Sequence, residues 1–415
     1  MPLKSYEHCC SSGIALATLG KVEGVIPILH GPQACIFNNQ LGTMFCRPSR
    51  LITVGTLLKR GEVIFGGEEN LKQQIRNVYQ QYKPRIIVII NTCVPQLIGE
   101  DVKGVIIDME HEIPDLKVTY CDTGFNHPQA MPQGSDACWS AICNVLDKKE
   151  KIEGSVGLLG RSGQDAGCLG PLTNFIREAG IPIFVFPAAH INEMEKIVQA
   201  DILCPIHVVP YLTCKKLNER FGSKVEYLEI PAGIEGTSRF LRGVADLVGN
   251  QKLHDIVDRE EKKILPQWKA IQRRFAQNPI KVMNISGPAN EFSVGKVLAE
   301  LGAEVIIVPS VRNKFAQSER KVLQERYGVK FVDEDFDTVS ILVNQYKPDV
   351  VFTEFQGRME VLPTFTPAQI NVLYVTEYGY DWALDFGEHF FDNLRRPVYR
   401  KWQYLMERYG GIHHA

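Results

Sequence analysis

Three cysteines lie where ligands of a parallel α/β sheet are usually found. Cys35 follows the apolar run "VIPIL" and a His-Gly-Pro turn, Cys93 follows "RIIVIINT", and Cys10 precedes the helical pattern "SSGIALATLG". Ligands of open α/β sheets bind beyond the carboxyl ends of the strands. Thiolates at that edge suit a soft metal or an iron–sulfur cluster. The residues alone also leave buried structural thiols open, because cysteine is among the most buried residue types.

The segments beside these cysteines favour a ligand site. The turn His30-Gly31-Pro32 allows the backbone to approach a bulky group, and the polar turn Gly99-Glu100-Asp101 follows Cys93. A [4Fe–4S] cube is normally held by four cysteines. Three thiolates therefore leave the ligand shell incomplete, and a partner subunit would supply the rest.

The chain contains eleven cysteines. Those other than Cys10, Cys35 and Cys93 are interpreted mainly as packing residues. Cys138 and Cys143 belong to the helical pattern "SDACWSAICNVL" and are predicted to lie in the core. Cys9 is expected to point away from the site of its neighbour Cys10. Cys46 lacks a strand-end context. Cys204 ends an apolar run and is kept as a further candidate ligand. The chain has no CxxC pair, so zinc-ribbon and thioredoxin-like sites have no support.

Two glycine-containing motifs do not match known nucleotide-binding loops. "GRSGQDAGCLG" lacks the spacing of a dinucleotide-binding loop, and "SGPANEFSVGKV" lacks that of a phosphate-binding P-loop. His30 is either a donor to cluster sulfur or a turn histidine that caps the backbone. Arg47 and Arg50 are predicted to form a solvated or interface face.

The elements that must position these residues repeat along the chain. "NVYQQYKPRIIVIINT" and "ILVNQYKPDVVFTEF" share one pattern, and "SVGLLG" and "IKVMNISGP" each open a strand–turn–helix–strand unit. Short β-branched runs that alternate with helices predict parallel sheets covered on both faces. The expected fold is α/β, with three Rossmann-like domains whose mainly parallel sheets are flanked by helices.

The predicted domains follow these repeats. Residues 1–150 form an N-terminal Rossmann-like domain that carries the cluster cysteines, and residues 151–255 form a second one. Residues 256–279 form a charged helical connector. Residues 280–415 form a third Rossmann-like domain with C-terminal helices.

Composition excludes several classes of protein. The chain has 415 residues, of which 45% are hydrophobic and 23% charged, with a net charge of −2. This balance is ordinary for a globular protein and gives no reason to expect a nucleic-acid partner. No apolar stretch approaches a membrane span, and "MPLKSYEHCC" has no signal-peptide core. We therefore expect a cytoplasmic protein without membrane contacts.

The sequence resembles component 1 of the nitrogenase superfamily, and its β-type subunit more than its α-type. The matching segments are "CSSGIALATLG", "PILHGPQAC", "VIFGGEENL", "YKPRIIVIINTCVPQLIGEDV" and "LEIPAGIEGTSRFLRGVADL". They cover the chain strongly over about residues 8–106 and weakly after 255. Cys10, Cys35 and Cys93 are 25 and 58 residues apart, as are the cluster cysteines of that subunit.

The resemblance implies a cofactor and two partners. Cys10, Cys35 and Cys93 would hold an [8Fe–7S] P-cluster shared with an α-like sister subunit, in an α2β2 heterotetramer. An ATP-hydrolysing iron protein would donate electrons. Similar reductases of tetrapyrroles imply a [4Fe–4S] cluster as the alternative. No His or Cys stands just before Tyr378, where α subunits carry a cofactor ligand.

The expected function is that of the β-like subunit of a nitrogenase-like reductase, for example a methylthio-alkane reductase. Its cluster would relay electrons to an active site in the α-like partner. A chain of 415 residues is shorter than most nitrogenase β subunits. The alternatives are a true nitrogenase β subunit, a scaffold for nitrogenase cofactor assembly, and a metal-free protein that resembles periplasmic binding proteins.

Overall fold

The computed structural model describes most of the chain. The described residues are 10–20, 22–37, 52, 54–123, 130–160, 169–287, 290–333, 339–353, 368–371 and 378–394. Cys9, Cys46, Arg47 and Arg50, and most of the glycine-rich stretch after residue 160, lie outside these ranges.

The first sheet carries the segments around Cys35 and Cys93. Its described strands are β1 (Val25–His30), β2 (Val54–Gly55), β3 (Ile86–Asn91) and β4 (Val118–Asp122). They pair in parallel in the order β2-β1-β3-β4. The helices described around this sheet are Ser11–Leu19, 33–37, Arg60–Phe65, Glu68–Tyr82, Cys93–Ile98, Val102–Glu112 and Ala130–Cys143.

The alternation along β3 shows why this sheet is covered on both faces. Ile86, Val88 and Ile90 pack into one buried cluster, whereas Ile87 and Ile89 pack into another. Successive side chains of a strand point to opposite faces. A run of β-branched residues can therefore fill two cores at once, as expected for a parallel sheet between helices.

The second sheet belongs to the same compact unit as the first. Its described strands are β5 (Ile152–Leu159), β6 (Ile183–Phe186), β7 (Ala200–Pro205) and β8 (Lys224–Val225). They pair in parallel in the order β6-β5-β7-β8. The α-helices Ile191–Met194 and Tyr211–Phe221 and the 3₁₀ helix Glu195–Gln199 belong to this part of the chain.

The third sheet lies in a second compact unit. Its described strands are β9 (Lys281–Ile285), β10 (Glu304–Ile307), β11 (Lys330–Phe331), β12 (Val350–Thr353) and β13 (Ala368–Asn371). They pair in parallel in the order β11-β10-β9-β12-β13. The described helices of this unit are Gly170–Glu178, Gly233–Val248, Gln251–Gln277, Glu291–Leu301, Lys314–Tyr327, Val339–Tyr346 and Tyr380–Leu394.

The predicted fold class is confirmed, because parallel sheets flanked by helices account for the described strands. The charged segment after residue 255 is part of the helix Gln251–Gln277. The division into domains at residues 150, 255 and 279 stays a prediction. Within the described ranges, no helix is both long and apolar enough to cross a membrane.

Buried carboxylates accept hydrogen bonds from the first N–H groups of helices that are distant in the sequence. Asp136 accepts hydrogen bonds from the N–H groups of Leu212 and Thr213, at the start of the helix Tyr211–Phe221. Glu300 likewise accepts from Ile234, Glu235 and Gly236 at the start of Gly233–Val248. These N–H groups have no partner within their own helix. The carboxylates therefore satisfy donors that would otherwise be buried alone.

Candidate functional site

The three predicted cluster cysteines begin or precede helices on the first sheet. Cys10 is the extended N-cap residue of Ser11–Leu19, with its Sγ 2.8 Å from Ser12 Oγ. Cys35 lies in the helical segment 33–37 after β1, and Cys93 opens the helix after β3. Since His30 pairs with Asn91 across β1 and β3, the segments with Cys35 and Cys93 leave neighbouring strands at one edge.

Exposure distinguishes these thiols from the others. Of the eight cysteines that the structure describes, Cys10, Cys35 and Cys93 are partly exposed. The remaining five are buried: Cys121, Cys138, Cys143, Cys204 and Cys214. Cys138 and Cys143 lie in a hydrophobic cluster, which confirms their predicted packing role. Partial exposure is what a ligand needs if a cluster and a partner protein are to reach it.

The electrostatics of Cys35 link the three segments. Burial raises the pKa of the Cys35 thiol, the nearby Cys10 raises it further, and contact with the Thr92 hydroxyl lowers it. Such effects act over a few ångströms. Cys35 therefore lies close both to Cys10 and to the residue that precedes Cys93.

The described residues do not form a complete metal site by themselves. Across the described ranges, no group of three or more His, Cys, Asp or Glu side chains is spaced to hold a metal ion. Cys10, Cys35 and Cys93 nevertheless supply soft donors at one sheet edge, which is the ligand chemistry of iron–sulfur clusters. They fit a cluster whose ligand shell is completed from another chain.

His30 has a different environment from either sequence-based expectation. Its side chain is fully buried, with Nδ1 3.1 Å from Thr56 Oγ1 and Nε2 in contact with Glu100 Oε2. Both ring nitrogens thus meet side chains. The hypotheses of a sulfur donor and of a backbone cap were wrong, because both ring nitrogens face side-chain oxygens, one of them from Glu100, 70 residues further along the chain.

Glu100 connects this histidine to a third segment. Its Oε1 accepts a hydrogen bond from the N–H of Gly67, where an added Cβ would overlap Leu58 and lie 3.1 Å from the carboxylate. Burial would raise the pKa of Glu100, but the hydrogen bond and charge of His30 and the Gly67 N–H lower it on balance. The sequence motifs around His30, Gly67 and Glu100 therefore meet at one point.

An exposed apolar patch lies beside the Cys93 helix. We define it as Ile64, Phe65 and Leu97, whose exposed fractions are 72%, 88% and 70%. The helix Arg60–Phe65, which carries the first two, contacts the helix Cys93–Ile98. Large apolar side chains that expose this much surface together are typical of protein interaction sites.

Cys204 lies inside β7 and is fully buried. Burial raises the pKa of its thiol to about 12, and the charge of Glu226 adds to the effect. Free cysteine is among the most buried residue types and usually packs as a small hydrophobic side chain. Its surroundings favour packing over ligation.

The parallel sheets flanked by helices define an α/β protein. The chain aligns with a chain of nitrogenase Cp1 at pH 6.5, with a TM-score of 0.80 over 96% of this chain and 94% of that one, at 18% identity. The chain belongs to the family described as Nitrogenase component 1 type Oxidoreductase, whose profile matches residues 9–389.

Two curated relatives show how broadly the family extends. The chain is 23% identical to the nitrogenase iron-molybdenum cofactor biosynthesis protein NifE of Methanosarcina barkeri, over 95% of this chain and 90% of that protein. It is 24% identical to one subunit of the light-independent protochlorophyllide reductase of Heliobacterium modesticaldum, over 82% of this chain and 68% of that protein. The chain is therefore an oxidoreductase subunit that belongs to the nitrogenase-like family.

Proposed function

We propose that this chain is the β-like subunit of the catalytic component of a nitrogenase-like reductase. Cys10, Cys35 and Cys93 hold an iron–sulfur cluster that passes electrons from an ATP-hydrolysing iron protein to an active site in an α-like partner. The observation that carries the proposal is the partial exposure of these three thiols, among eight described. Cys35 and Cys93 follow neighbouring strands at one edge of the first sheet, and Cys10 lies near enough to Cys35 to raise its pKa.

The incomplete ligand set supports a shared cluster. Three thiols from one chain and three from its α-like partner would hold an [8Fe–7S] P-cluster within an α2β2 heterotetramer. A [4Fe–4S] cluster, closed by the partner's ligand, is the alternative. In either case thiolates keep iron at low potential, and burial and hydrogen bonds to sulfur tune that potential.

The exposed apolar patch supports docking of the electron donor. A donor must bring its own cluster close to the acceptor, and the patch adjoins the helix that Cys93 begins. We assign Ile64, Phe65 and Leu97 to the contact with the iron protein. We place the complex in the cytoplasm, where ATP is available to that donor.

The test compares the chain purified alone with the chain co-purified with its partner, both under anaerobic conditions. We expect little stable iron on the isolated chain and a full complement in the complex. Iron content and electron paramagnetic resonance (EPR) of the reduced protein measure this. A complete cluster on the isolated monomer would contradict sharing.

A second candidate is an assembly scaffold for the nitrogenase cofactor. It is favoured by the similarity to the biosynthesis protein NifE, which extends over 95% of this chain. A scaffold transfers a cluster to another protein and does not turn over a substrate. Loss of iron to an apo-acceptor without substrate reduction would support it, whereas sustained ATP-dependent reduction with the iron protein would exclude it.

A true nitrogenase β subunit is the remaining alternative. Reduction of dinitrogen to ammonia by the complete system would support it. Reduction of a methylthio-alkane, without reduction of dinitrogen, would support the reductase that we propose.

A further inference from the structure

We infer that His30 and Glu100 form a positioning pair that holds the segments of Cys35 and Cys93 in register and tunes the group that they bind. The inference rests on the proposed function and assigns a role to two residues that are not themselves ligands. It follows from a continuous series of contacts between the three segments that surround the thiols.

The first contact joins His30 to the residue before Cys93. Thr92 donates two hydrogen bonds to the carbonyl oxygen of His30, from its N–H at 3.1 Å and from its Oγ1 at 2.8 Å. A Cβ added at Gly31 would overlap Thr92 Oγ1. The end of β1 and the start of the Cys93 helix are therefore closely packed, and a shift of His30 would move both.

The second contact joins the ring of His30 to Glu100, and both side chains are almost completely buried. The exposed fractions of the two side chains are 0% and 2%. Removing charged groups from water is costly unless both partners are hydrogen-bonded. Here Thr56 lies at the other ring nitrogen, and the Gly67 N–H binds the other carboxylate oxygen. The pair is thus fully enclosed by groups that fix its orientation.

The third contact involves the segment after Phe65, from Gly67 to Asn70. Gly67 precedes the helix Glu68–Tyr82, and Asn70 of that helix donates to the Thr56 carbonyl at 2.8 Å. Glu68 Oε1 also accepts from the Asp101 N–H at 3.2 Å. The carboxylate of Glu100 thereby connects the segment after Phe65 to the end of β1. Outer residues of this kind orient metal ligands and tune the bound metal.

Two substitutions at Glu100 separate its hydrogen bonds from its charge. In Glu100→Ala both are lost, so His30 Nε2 and the Gly67 N–H lose their partner, whereas His30 Nδ1 keeps Thr56. In Glu100→Gln the amide retains an acceptor and a donor of the same size but no charge. Glu112→Gln is the matched control, because Glu112 forms an exposed ion pair with Arg76 on the same unit.

The measurements are made on the full chain, purified anaerobically with its partner subunit. We expect Glu100→Ala to retain about tenfold less iron than wild type after gel filtration, the size typical of lost outer-shell partners. We expect Glu100→Gln to keep its iron but to show an altered EPR line shape and a displaced midpoint potential. Glu112→Gln should match wild type in both.

Several outcomes would overturn the inference. One is wild-type iron content in Glu100→Ala together with a wild-type potential in Glu100→Gln. Another is a lower melting temperature in Glu100→Gln with unchanged EPR and potential, since that shows a purely structural role. If Glu100→Ala does not fold by circular dichroism, the potential of Glu100→Gln decides alone. Absence of iron from the wild-type complex would instead refute the proposed function.

Discussion

Burial distinguishes the three thiols that we propose as ligands from the five buried thiols among the described cysteines. Cys35→Ala or Cys93→Ala should abolish the EPR signal of the cluster, because each removes a thiolate at the sheet edge. Cys138→Ala and Cys143→Ala should keep the signal and lose only about 1–2 kcal/mol of unfolding free energy through small cavities. Loss of the signal in Cys138→Ala, with retention in Cys35→Ala, would reverse the assignment.

Cys204 provides a second test at this scale. Because its thiol is fully buried within β7, Cys204→Ala should leave iron content and activity intact. The expected change is a modest drop in melting temperature. If the variant lost a catalytic cluster while the cluster at Cys10, Cys35 and Cys93 survived, the chain would be α-like in function.

Some roles of single residues could be predicted from the sequence, and others could not. The position of Cys35 and Cys93 after apolar strand patterns was sufficient to nominate them as candidate ligands, and the spacing of Cys10, Cys35 and Cys93 added support only through the family resemblance. The His30–Glu100 contact was not predictable. No periodicity relates two residues 70 positions apart, and only the parallel pairing of β1 with β3 brings their segments together.

Among the elements, the helix Arg60–Phe65 gives the clearest prediction. Phe65→Ala should slow ATP-dependent electron transfer from the iron protein by about tenfold or more, the effect of losing one interface hot spot. Iron content should not change. Ile107→Ala, on the exposed face of Val102–Glu112, is the control, because Ile107 is also apolar and exposed. Equal rates for both variants would exclude the patch as the docking site.

Buried carboxylates that accept backbone N–H groups predict an unusual pH dependence of stability. Glu291, which binds the N–H groups of Ser310 and Val311, is a third case beside Asp136 and Glu300. Burial raises the pKa of Asp136 to about 6 and the pKa values of Glu291 and Glu300 to about 7. In the unfolded chain such groups titrate near pH 4. The folded state therefore binds more protons between these values, and these groups make the free energy of unfolding fall as pH rises from about 4 to 7.

Urea unfolding at pH 5 and pH 8 measures this effect. Glu300→Gln should be less stable at both values, because its amide cannot accept all three helix N–H bonds. It should also lose less stability than wild type between the two pH values. An unchanged difference between pH 5 and pH 8 would contradict the raised pKa of Glu300.

Elements were predictable in proportion to their length. The runs that became β1, β3 and β12 were legible as buried strands. The two-residue strands β2, β8 and β11 have no pattern of their own, because they exist only as edges paired to longer neighbours. The exposure of Phe65 in "VIFGG" was not predictable from its apolar side chain. It lies at the end of the short helix Arg60–Phe65, which has no buried residues.

For the whole molecule, the division of labour between chains is the main prediction. The sequence contains no stretch with P-loop spacing. Turnover should therefore require a second, P-loop-bearing protein and should stop when ATP is withheld. Substrate reduction by the complex with a chemical reductant alone, at the same rate and without ATP, would contradict this prediction.

The parallel pairing of β1 with β3 also constrains how the protein is made. Val25 pairs with Ile86, so the first sheet cannot close until the intervening crossover has been synthesised and released from the ribosome. Contacts this distant in sequence make folding slow. The edge that joins Cys35 to Cys93 does not exist before that moment. A cluster that needs both thiols therefore cannot be inserted before β1 and β3 have paired.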